Sequence, residues 1–262
     1  MDKDPYLLQT LSNAIDVINI FETESEPLTI AEIAKKTKMN RTSLFRILYT
    51  LRSKGLVEMD LNTGKYRLGM KIVRLSSLVL QRLDIRRLAK SYLEALRDRL
   101  QETIHLVVLN EKSAIFIDKM EISGSIFMGS YIGWIAPLYC TASGKLLLSY
   151  QDQEYIDDYL QTVSIKPYTH KTIMSKEQLR ENIEWIKTVG YSVDDEEMVE
   201  GLTCYAAPVF DGKGKIKAAV SVSGPTSRIT SNKEKIITEL LDTTATISKE
   251  LSNAPEMSSR WN

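Results

Sequence analysis

Histidine and cysteine are scarce in this 262-residue sequence, which contains only His105, His170, Cys140 and Cys204. Two cysteines at this separation make neither a disulfide framework nor the closely spaced pairs of zinc and redox sites. Nucleophilic catalysis by serine or cysteine would need one of the two histidines, and neither has an obvious partner nearby in the sequence. We therefore expect no enzymatic activity and no bound metal. No phosphate-binding glycine loop is present, so no cofactor is expected either.

Long apolar runs are also missing. No stretch reaches the about 18 apolar residues that a transmembrane helix needs, so we expect no membrane partner. The first five residues are too charged to begin a signal peptide, and a cytoplasmic location is expected. The composition, with 43% hydrophobic and 26% charged residues, is typical of a soluble globular protein with one large or two smaller domains.

Charge is unevenly distributed along the chain, although 34 basic and 34 acidic residues cancel overall. Between Leu28 and Lys90, fifteen Lys or Arg residues accompany four Asp or Glu residues, a net charge of +11, so the remainder carries −11. A basic segment of this kind is expected where a protein docks on phosphate groups. The alternative is a solvated basic surface without a partner. The helical pattern in the same segment favours a nucleic acid.

The segment from Leu28 to Gly69 contains two short amphipathic helical patterns and then a hairpin pattern. Thr29 can cap the first helix and Asn40 the second. The hairpin is predicted from two short strand patterns around a turn at residues 62–64. Two helices followed by a hairpin form the winged helix-turn-helix layout. We assign this DNA-binding domain to residues 1–69, with the helix-turn-helix at about Thr29 to Leu48.

The second helix of a helix-turn-helix enters the major groove, so its exposed residues and the wing supply the candidate DNA contacts. These are Arg41, Thr42, Ser43, Arg46, Thr50, Lys65 and Arg67. The first three lie in the first helical turn and are expected to contact base edges, whereas Arg46 is expected to contact a phosphate. The two wing residues are expected to contact phosphates as well. Plain solvation is the alternative for each of them.

Three stretches together resemble a known family. RTSLFRILYTLRSKGLVE, followed by a hairpin that ends in YRLG, is similar to the DNA-binding domain of IclR-type bacterial transcriptional regulators. APLYCTASGKLLL at 136–148 and GYSVDDEEMVEGLTCYAAPVFDGKGKIKAAVSVSGPTSRIT at 190–230 are similar to segments of that family's effector-binding domain. The resemblance runs from about Leu8 to Leu251 in the right order and spacing.

The rest of the chain predicts an α+β architecture. Residues 70–84 have the pattern of a linker helix, with more apolar residues than a solvent-exposed linker needs. We therefore expect this helix to pack on its own copy in a dimer, or otherwise on the body of the same chain. Residues 85–253 alternate helices with blocks of hairpin-connected strands, so the sheet is antiparallel. Strands are predicted at 103–110, 114–122, 126–132, 191–194, 205–210 and 215–222, with one closing helix at 231–251. The resemblance implies a GAF-like effector-binding domain with a curved sheet flanked by helices. A disordered tail is expected at 254–262.

A ligand site is predicted around the small-residue turn at 140–145, where a helix begins. The free N–H groups of a helix N-terminus suit an anion. The resemblance implies that this turn, with segments of the second half, lines an effector pocket formed by Ala142, Ser143, Gly144, Asp194, Cys204, Ser221 and Ser223. Met128 is a candidate for its apolar wall, although core packing is favoured for it. The two serines share one strand face, and bonding to backbone or water is their alternative. The acidic run at 194–197 could mimic a metal site, but a solvated loop is favoured. Relatives commonly have histidine where this chain has Tyr139, so no specific ligand is transferred.

These features predict a one-component transcriptional regulator. We expect a homodimer, or a dimer of dimers, to bind a double-stranded DNA operator. A small organic or sugar acid, bound as a carboxylate in the second half, would relieve repression of a catabolic operon. The alternative is a sequence-tolerant architectural DNA-binding protein whose second half only oligomerises.

Overall fold

The computed structural model describes residues 6–81, 83–122 and 129–253, and the chain divides after position 82 into two compact units. Each unit has its own sheet and is described separately below. The predicted tail and Met128 lie outside the described residues. Among those described, no helix is both long and apolar enough to cross a membrane.

The first unit is a helical body with a small hairpin. Its elements are α1 (Gln9–Asn19), a 3-10 turn (Ile20–Glu22), α2 (Ile30–Thr37), α3 (Arg41–Ser53), β1 (Val57–Met59), β2 (Tyr66–Leu68) and α4 (Met70–Gln81). Thr29 caps α2 in a capping box with Glu32, whose carboxylate accepts a hydrogen bond from the Thr29 N–H at 2.7 Å. The Asn40 side chain caps α3 by accepting from the Ser43 N–H at 2.9 Å. Both predicted caps are therefore present.

The core of the first unit holds α1, α2, α3 and the hairpin together. The helix α3 buries one face, formed by Leu44, Ile47, Leu48 and Leu51, as its apolar periodicity predicts. Strands β1 and β2 pair antiparallel, and Asp60 accepts hydrogen bonds from two N–H groups of the connecting turn. This is the predicted winged helix-turn-helix layout.

The helix α4 buries none of its residues within this single chain. Its exposed apolar side chains are Met70, Val73, Leu75, Leu78 and Val79. An apolar helix face of this kind is stable in water when another surface covers it.

The second unit is built on a six-stranded sheet with helices on both faces. Its helices are α5 (Asp84–Leu100), α6 (Ala142–Ser149), α7 (Gln153–Thr162), α8 (Lys176–Val189), α9 (Thr226–Ser231) and α10 (Lys233–Asn253). Its strands are β3 (Thr103–Asn110), β4 (Ser113–Met120), β5 (Ile135–Pro137), β6 (Ser192–Asp195), β7 (Leu202–Phe210) and β8 (Ile216–Pro225). The strand order is β5-β4-β3-β8-β7-β6, and every pair is antiparallel. The predicted α+β class with a curved antiparallel sheet is confirmed.

The two strand blocks join through β3 and β8, which pair from Thr103 opposite Ser223 to Val107 opposite Ala219. On one face of the sheet, α6, α7 and α8 share a core with inward-facing strand residues. The helices α5 and α10 contact each other and the strands β3, β4, β7 and β8. Arg99 on α5 links them by donating to Glu239 on α10 at 2.7 Å.

The strand predicted at 126–132 is wrong for its described part, because residues 129–132 form no strand. Gly129 and Gly133 adopt positive φ angles of 66° and 94°, which are incompatible with an extended strand. The Trp134 N–H closes a turn onto the Tyr131 carbonyl at 3.0 Å, and the edge strand β5 begins only at Ile135. The closing helix predicted at 231–251 is present as α10, and the short helix α9 that precedes it was not predicted.

Candidate functional site

The face of α3 opposite its buried residues is open to solvent. Arg41, Thr42, Ser43, Arg46 and Thr50 are all exposed there. Neither the Arg41 nor the Arg46 side chain has an ion-pair partner within the described part of the chain. The Thr50 hydroxyl donates to the Arg46 carbonyl at 2.9 Å, so only its lone pairs are free for another group. The structure thus places the five predicted helix contacts on one accessible surface.

The two wing residues differ from each other. Lys65 is half-buried next to the turn, whereas Arg67 is exposed and its guanidinium pairs with Glu58 across the hairpin at 3.2 Å. Glu58 also accepts from the Met70 N–H at 3.2 Å. An exposed ion pair is weak, so Arg67 can exchange Glu58 for a phosphate at little cost.

The second unit contains a partly open cavity of about 450 Å³ on the α6 side of the sheet. Its floor takes one or two inward-facing residues from each of five neighbouring strands: Phe116 from β4, His105 from β3, Ser221 and Ser223 from β8, Cys204 from β7 and Asp194 from β6. The start of α6, including Ala142 and Ser143, lies against the cavity together with Trp134, Met198 and Leu202. Five ligand residues were predicted outside the α6 turn. Four of them line this cavity, namely Asp194, Cys204, Ser221 and Ser223. The fifth, Met128, lies outside the described residues.

A hydrogen-bonded group of hydroxyls surrounds His105 at one end of the floor. Its Nε2 lies 2.9 Å from the Ser130 hydroxyl, and its Nδ1 lies 3.5 Å from the Ser223 hydroxyl. Burial, together with the nearby Lys119 ammonium, lowers the pKa of His105 to about 3. The imidazole is therefore neutral at physiological pH, with one nitrogen that donates and one that accepts. Lys119 itself donates to the Ser130 carbonyl at 2.6 Å and pairs with the Glu121 carboxylate at 2.6 Å, which offsets its charge.

Asp194 occupies the opposite edge of the floor. Its Oδ1 accepts from the N–H groups of Glu197 and Met198 at 2.7 and 3.4 Å. Burial and the neighbouring Glu197 carboxylate raise the pKa of Asp194 to about 7, against the weaker opposing effects of Lys145 and these N–H groups. Glu197 forms a buried ion pair with Lys145. The interpretation of the run at 194–197 as a solvated loop is therefore wrong for Asp194 and Glu197, because tertiary packing buries both of them.

The N-terminus of α6 reaches the cavity through Thr141, Ala142 and Ser143. The Thr141 hydroxyl accepts from the Gly144 N–H at 3.1 Å, whereas the N–H groups of Ala142 and Ser143 have no acceptor within the helix. Gly144 does not line the cavity. A side chain there would come within 2.7 Å of the Leu138 Cα atom, so its contribution is close packing of the turn.

Neither a metal nor a thiol site is evident in the described part of the chain. No group of three or more His, Cys, Asp or Glu side chains is placed to hold an ion there. Burial raises the pKa of both the Cys140 and Cys204 thiols, so they remain protonated. Tyr139 is buried and donates its hydroxyl to the Lys166 carbonyl at 3.0 Å, away from the cavity lining.

Sequence reasoning missed several cavity residues, above all His105, which it considered only as a possible catalytic residue. A signal was available, because a histidine inside an apolar strand requires buried hydrogen-bond partners. Those partners could not be identified, because Ser130 and Ser223 are 25 and 118 residues away. Trp134 and Met198 lie in segments without a clear apolar periodicity, so nothing in the sequence predicted that their side chains face a cavity.

Both units match known family models. The model described as the IclR helix-turn-helix domain matches residues 10–61, and the one described as the bacterial transcriptional regulator IclR C-terminal domain matches residues 77–249. Among curated proteins, the chain is 34% identical over 247 residues to the HTH-type transcriptional regulator KdgR of Escherichia coli K12, covering 94% of this chain and 93% of that protein. The transcriptional repressor IclR of the same organism is 28% identical over 228 residues, covering 86% of this chain and 83% of the relative.

Two solved structures illustrate the likeness of the fold. The Thermotoga maritima IclR structure matches with a TM-score of 0.74 and 33% identity, covering 93% of this chain and 99% of that one. An IclR homolog from Microbacterium hydrocarbonoxydans, solved in complex with 4-hydroxybenzoate, matches with a TM-score of 0.80 and 22% identity, covering 92% and 98%. The second likeness concerns the fold alone.

Proposed function

The chain belongs to the IclR family of bacterial transcriptional regulators, and from that premise we propose that it is a repressor whose operator binding is controlled by a small hydroxylated acid. The observation that carries the proposal is the cavity in the second unit, with hydroxyls and a neutral histidine at one end and Asp194 at the other.

The two ends of the cavity differ in what they can bind. The hydroxyls of Ser130, Ser221 and Ser223 can donate to an anion. None of the described lining residues is Lys or Arg, so a carboxylate would be held by neutral donors, including the first N–H groups of α6.

Asp194 lies three strand spacings from His105, about 14 Å along the sheet. The Asp194 carboxyl, whether ionised or protonated, can accept a hydrogen bond from a ligand hydroxyl group. A molecule with a carboxylate at one end and a hydroxyl at the other therefore fits both ends. The 4-hydroxybenzoate bound by the Microbacterium homolog has this chemistry.

The DNA side of the proposal rests on the exposed, unpaired arginines of α3. Arg41, Thr42 and Ser43 would contact bases, and Arg46, Thr50, Lys65 and Arg67 would contact the backbone or flanking positions. Relatives named as regulators and repressors support a regulator rather than an architectural protein or an enzyme. A chromosomal operator implies that the protein acts in the cytoplasm.

The exposed apolar face of α4 supports a homodimer, which would also match a two-fold symmetric operator. We expect Val79→Glu to shift the protein toward monomers in sedimentation velocity, because it places a charge on an apolar contact. Lys71→Glu, a charge change at an exposed basic position of the same helix, should leave the distribution unchanged.

A thermal-shift experiment tests the effector. The probes are two acids, each with a neutral control. D-gluconate is compared with D-glucose, and 4-hydroxybenzoate is compared with 4-hydroxybenzyl alcohol. We expect at least one acid, but not its analogue, to raise the melting temperature and to lower operator affinity in a gel-shift titration. Ser221→Ala should weaken the shift, whereas Ser149→Ala, which changes a buried serine outside the cavity lining, should not. Equal responses to the acids and their neutral analogues would contradict a carboxylate effector.

A further inference from the structure

Two aromatic side chains lie uncovered on the helix that is proposed to enter DNA. Phe45 is 57% exposed and Tyr49 is 68% exposed, and both belong to helix α3. They are four residues apart, so they lie side by side on the helix surface. Two adjacent exposed rings form a contiguous apolar patch, unlike the single exposed residues that are normal on a soluble protein, and such a patch indicates a binding surface.

The charge around these rings identifies their partner. Arg41 precedes Phe45 by one helical turn, Arg46 follows it directly, and Arg52 follows Tyr49 by three residues; all three are exposed. An apolar side chain enclosed by unpaired guanidinium groups does not suit another protein's apolar surface, because docking would bury uncompensated charge. This combination of an apolar ring and guanidinium groups suits a polyanion that also offers apolar contacts.

The major groove of B-DNA is such a surface. Its edges carry the 5-methyl group of thymine, and phosphates line both sides. We propose that Phe45 is a specificity-determining residue that recognises thymine by apolar contact with its 5-methyl group, while the Tyr49 hydroxyl donates to a neighbouring phosphate. This inference rests on the proposed operator binding, and it assigns sequence readout to a residue type that makes no hydrogen bonds to bases.

The chemistry of the contact predicts how it responds to substitution. The affinity contributed by an apolar contact does not depend on salt concentration. Each lost phosphate contact, in contrast, reduces the slope of log affinity against log salt concentration by about one. Phe45→Ala should therefore weaken specific binding without changing the slope of log affinity against log salt. Arg46→Ala, at the adjacent position, should reduce that slope. Phe45→Leu keeps an apolar group and should retain part of the affinity.

The experiment begins with a random-sequence duplex library, from which the full-length protein selects its preferred site. Thymines of that site are then replaced one at a time by deoxyuridine, which lacks only the methyl group. We expect at least one replacement to lower wild-type affinity about fourfold, the effect of one buried methyl-sized group. Phe45→Ala should bind the thymine and uracil versions of that position equally. Circular dichroism should show unchanged melting, because Phe45 is exposed.

Each outcome bears on a different statement. Enrichment of no site would overturn the proposed operator function, and this inference with it. An enriched site at which no uracil replacement matters, or at which the uracil penalty persists in Phe45→Ala, would overturn the inference alone. Altered sedimentation of Phe45→Ala with unchanged DNA affinity would show that the aromatic pair is a protein contact, and would overturn it as well.

Discussion

Replacing Asp194 with asparagine should make the stability of the protein less sensitive to pH between about 4 and 7. Asp194 is buried in the cavity wall beside Glu197, and both features raise its pKa from 3.8 to about 7. The folded protein therefore holds a proton on this carboxyl over a pH range in which the unfolded chain has released it. This proton uptake links folding to pH.

The magnitude follows from the size of the shift. Three pKa units correspond to about 4 kcal/mol in the free energy of unfolding. Because the folded pKa is raised, this contribution is complete below pH 3.8 and is lost as the pH rises to about 7. Asparagine still accepts from the Glu197 and Met198 N–H groups, but its amide N–H donors need a partner, which costs about 1 kcal/mol. We expect Asp194→Asn to exceed the parent in stability by about 3 kcal/mol at pH 8 and to equal it at pH 4.5.

Urea denaturation at pH 4.5, 6 and 8 measures the difference directly. Asp195→Asn is the matched control, because Asp195 is the neighbouring residue but is exposed, and it forms a surface ion pair with Lys171. Its effect should stay below about 0.5 kcal/mol at every pH. A difference for Asp194→Asn that is the same at all three pH values would refute the reasoning, because Asp194 would then be ionised throughout in the folded protein.

The same proton should affect the effector. The negative charge of a bound effector carboxylate disfavours a negative charge on Asp194 in the same cavity. Effector binding at pH 8 should therefore be accompanied by proton uptake at Asp194. Affinity should then fall by up to about tenfold per pH unit above 7. Titration calorimetry in two buffers of different ionisation enthalpy measures the uptake. Asp194→Asn should abolish it, and persistence of the uptake in the variant would assign the proton to another group.

Three further experiments test close packing, a helix cap and thiol burial. Gly144→Ala should destabilise the second unit by about 2 kcal/mol in urea denaturation, because the added methyl would meet backbone atoms of Leu138 at 2.7 Å, and unchanged stability would contradict the close approach. Thr29→Ala should cost about 1 kcal/mol by removing the cap of α2, whereas Thr29→Ser should not; equal melting temperatures would refute the capping role. Cys140 and Cys204 should resist Ellman's reagent at pH 8 until the protein is unfolded, because burial raises both thiol pKa values, and rapid reaction of the native protein would contradict their burial.

Much of the fold could be predicted because its signals are local. The helices α2 and α3 have their predicted caps at Thr29 and Asn40, since capping residues and apolar periodicity act within one or two turns. Ser175, for example, caps α8 from the residue next to it by accepting from Gln178. The strand at Thr103–Asn110 also matches its prediction, and the family resemblance supplied the domain types around these elements.

By itself, the sequence determined which segments are helices or strands, which face of α3 is apolar and where positive charge gathers, because each depends on residues close together in the chain. Only the tertiary structure decided what the strands bring together. Pairing of β3 with β8 sets His105 opposite Ser221, and packing buries Asp194 and Glu197 within a run that looks solvated. Such contacts join residues more than 50 positions apart, as in the Lys145–Glu197 pair, and burial depends on every layer that packs around them.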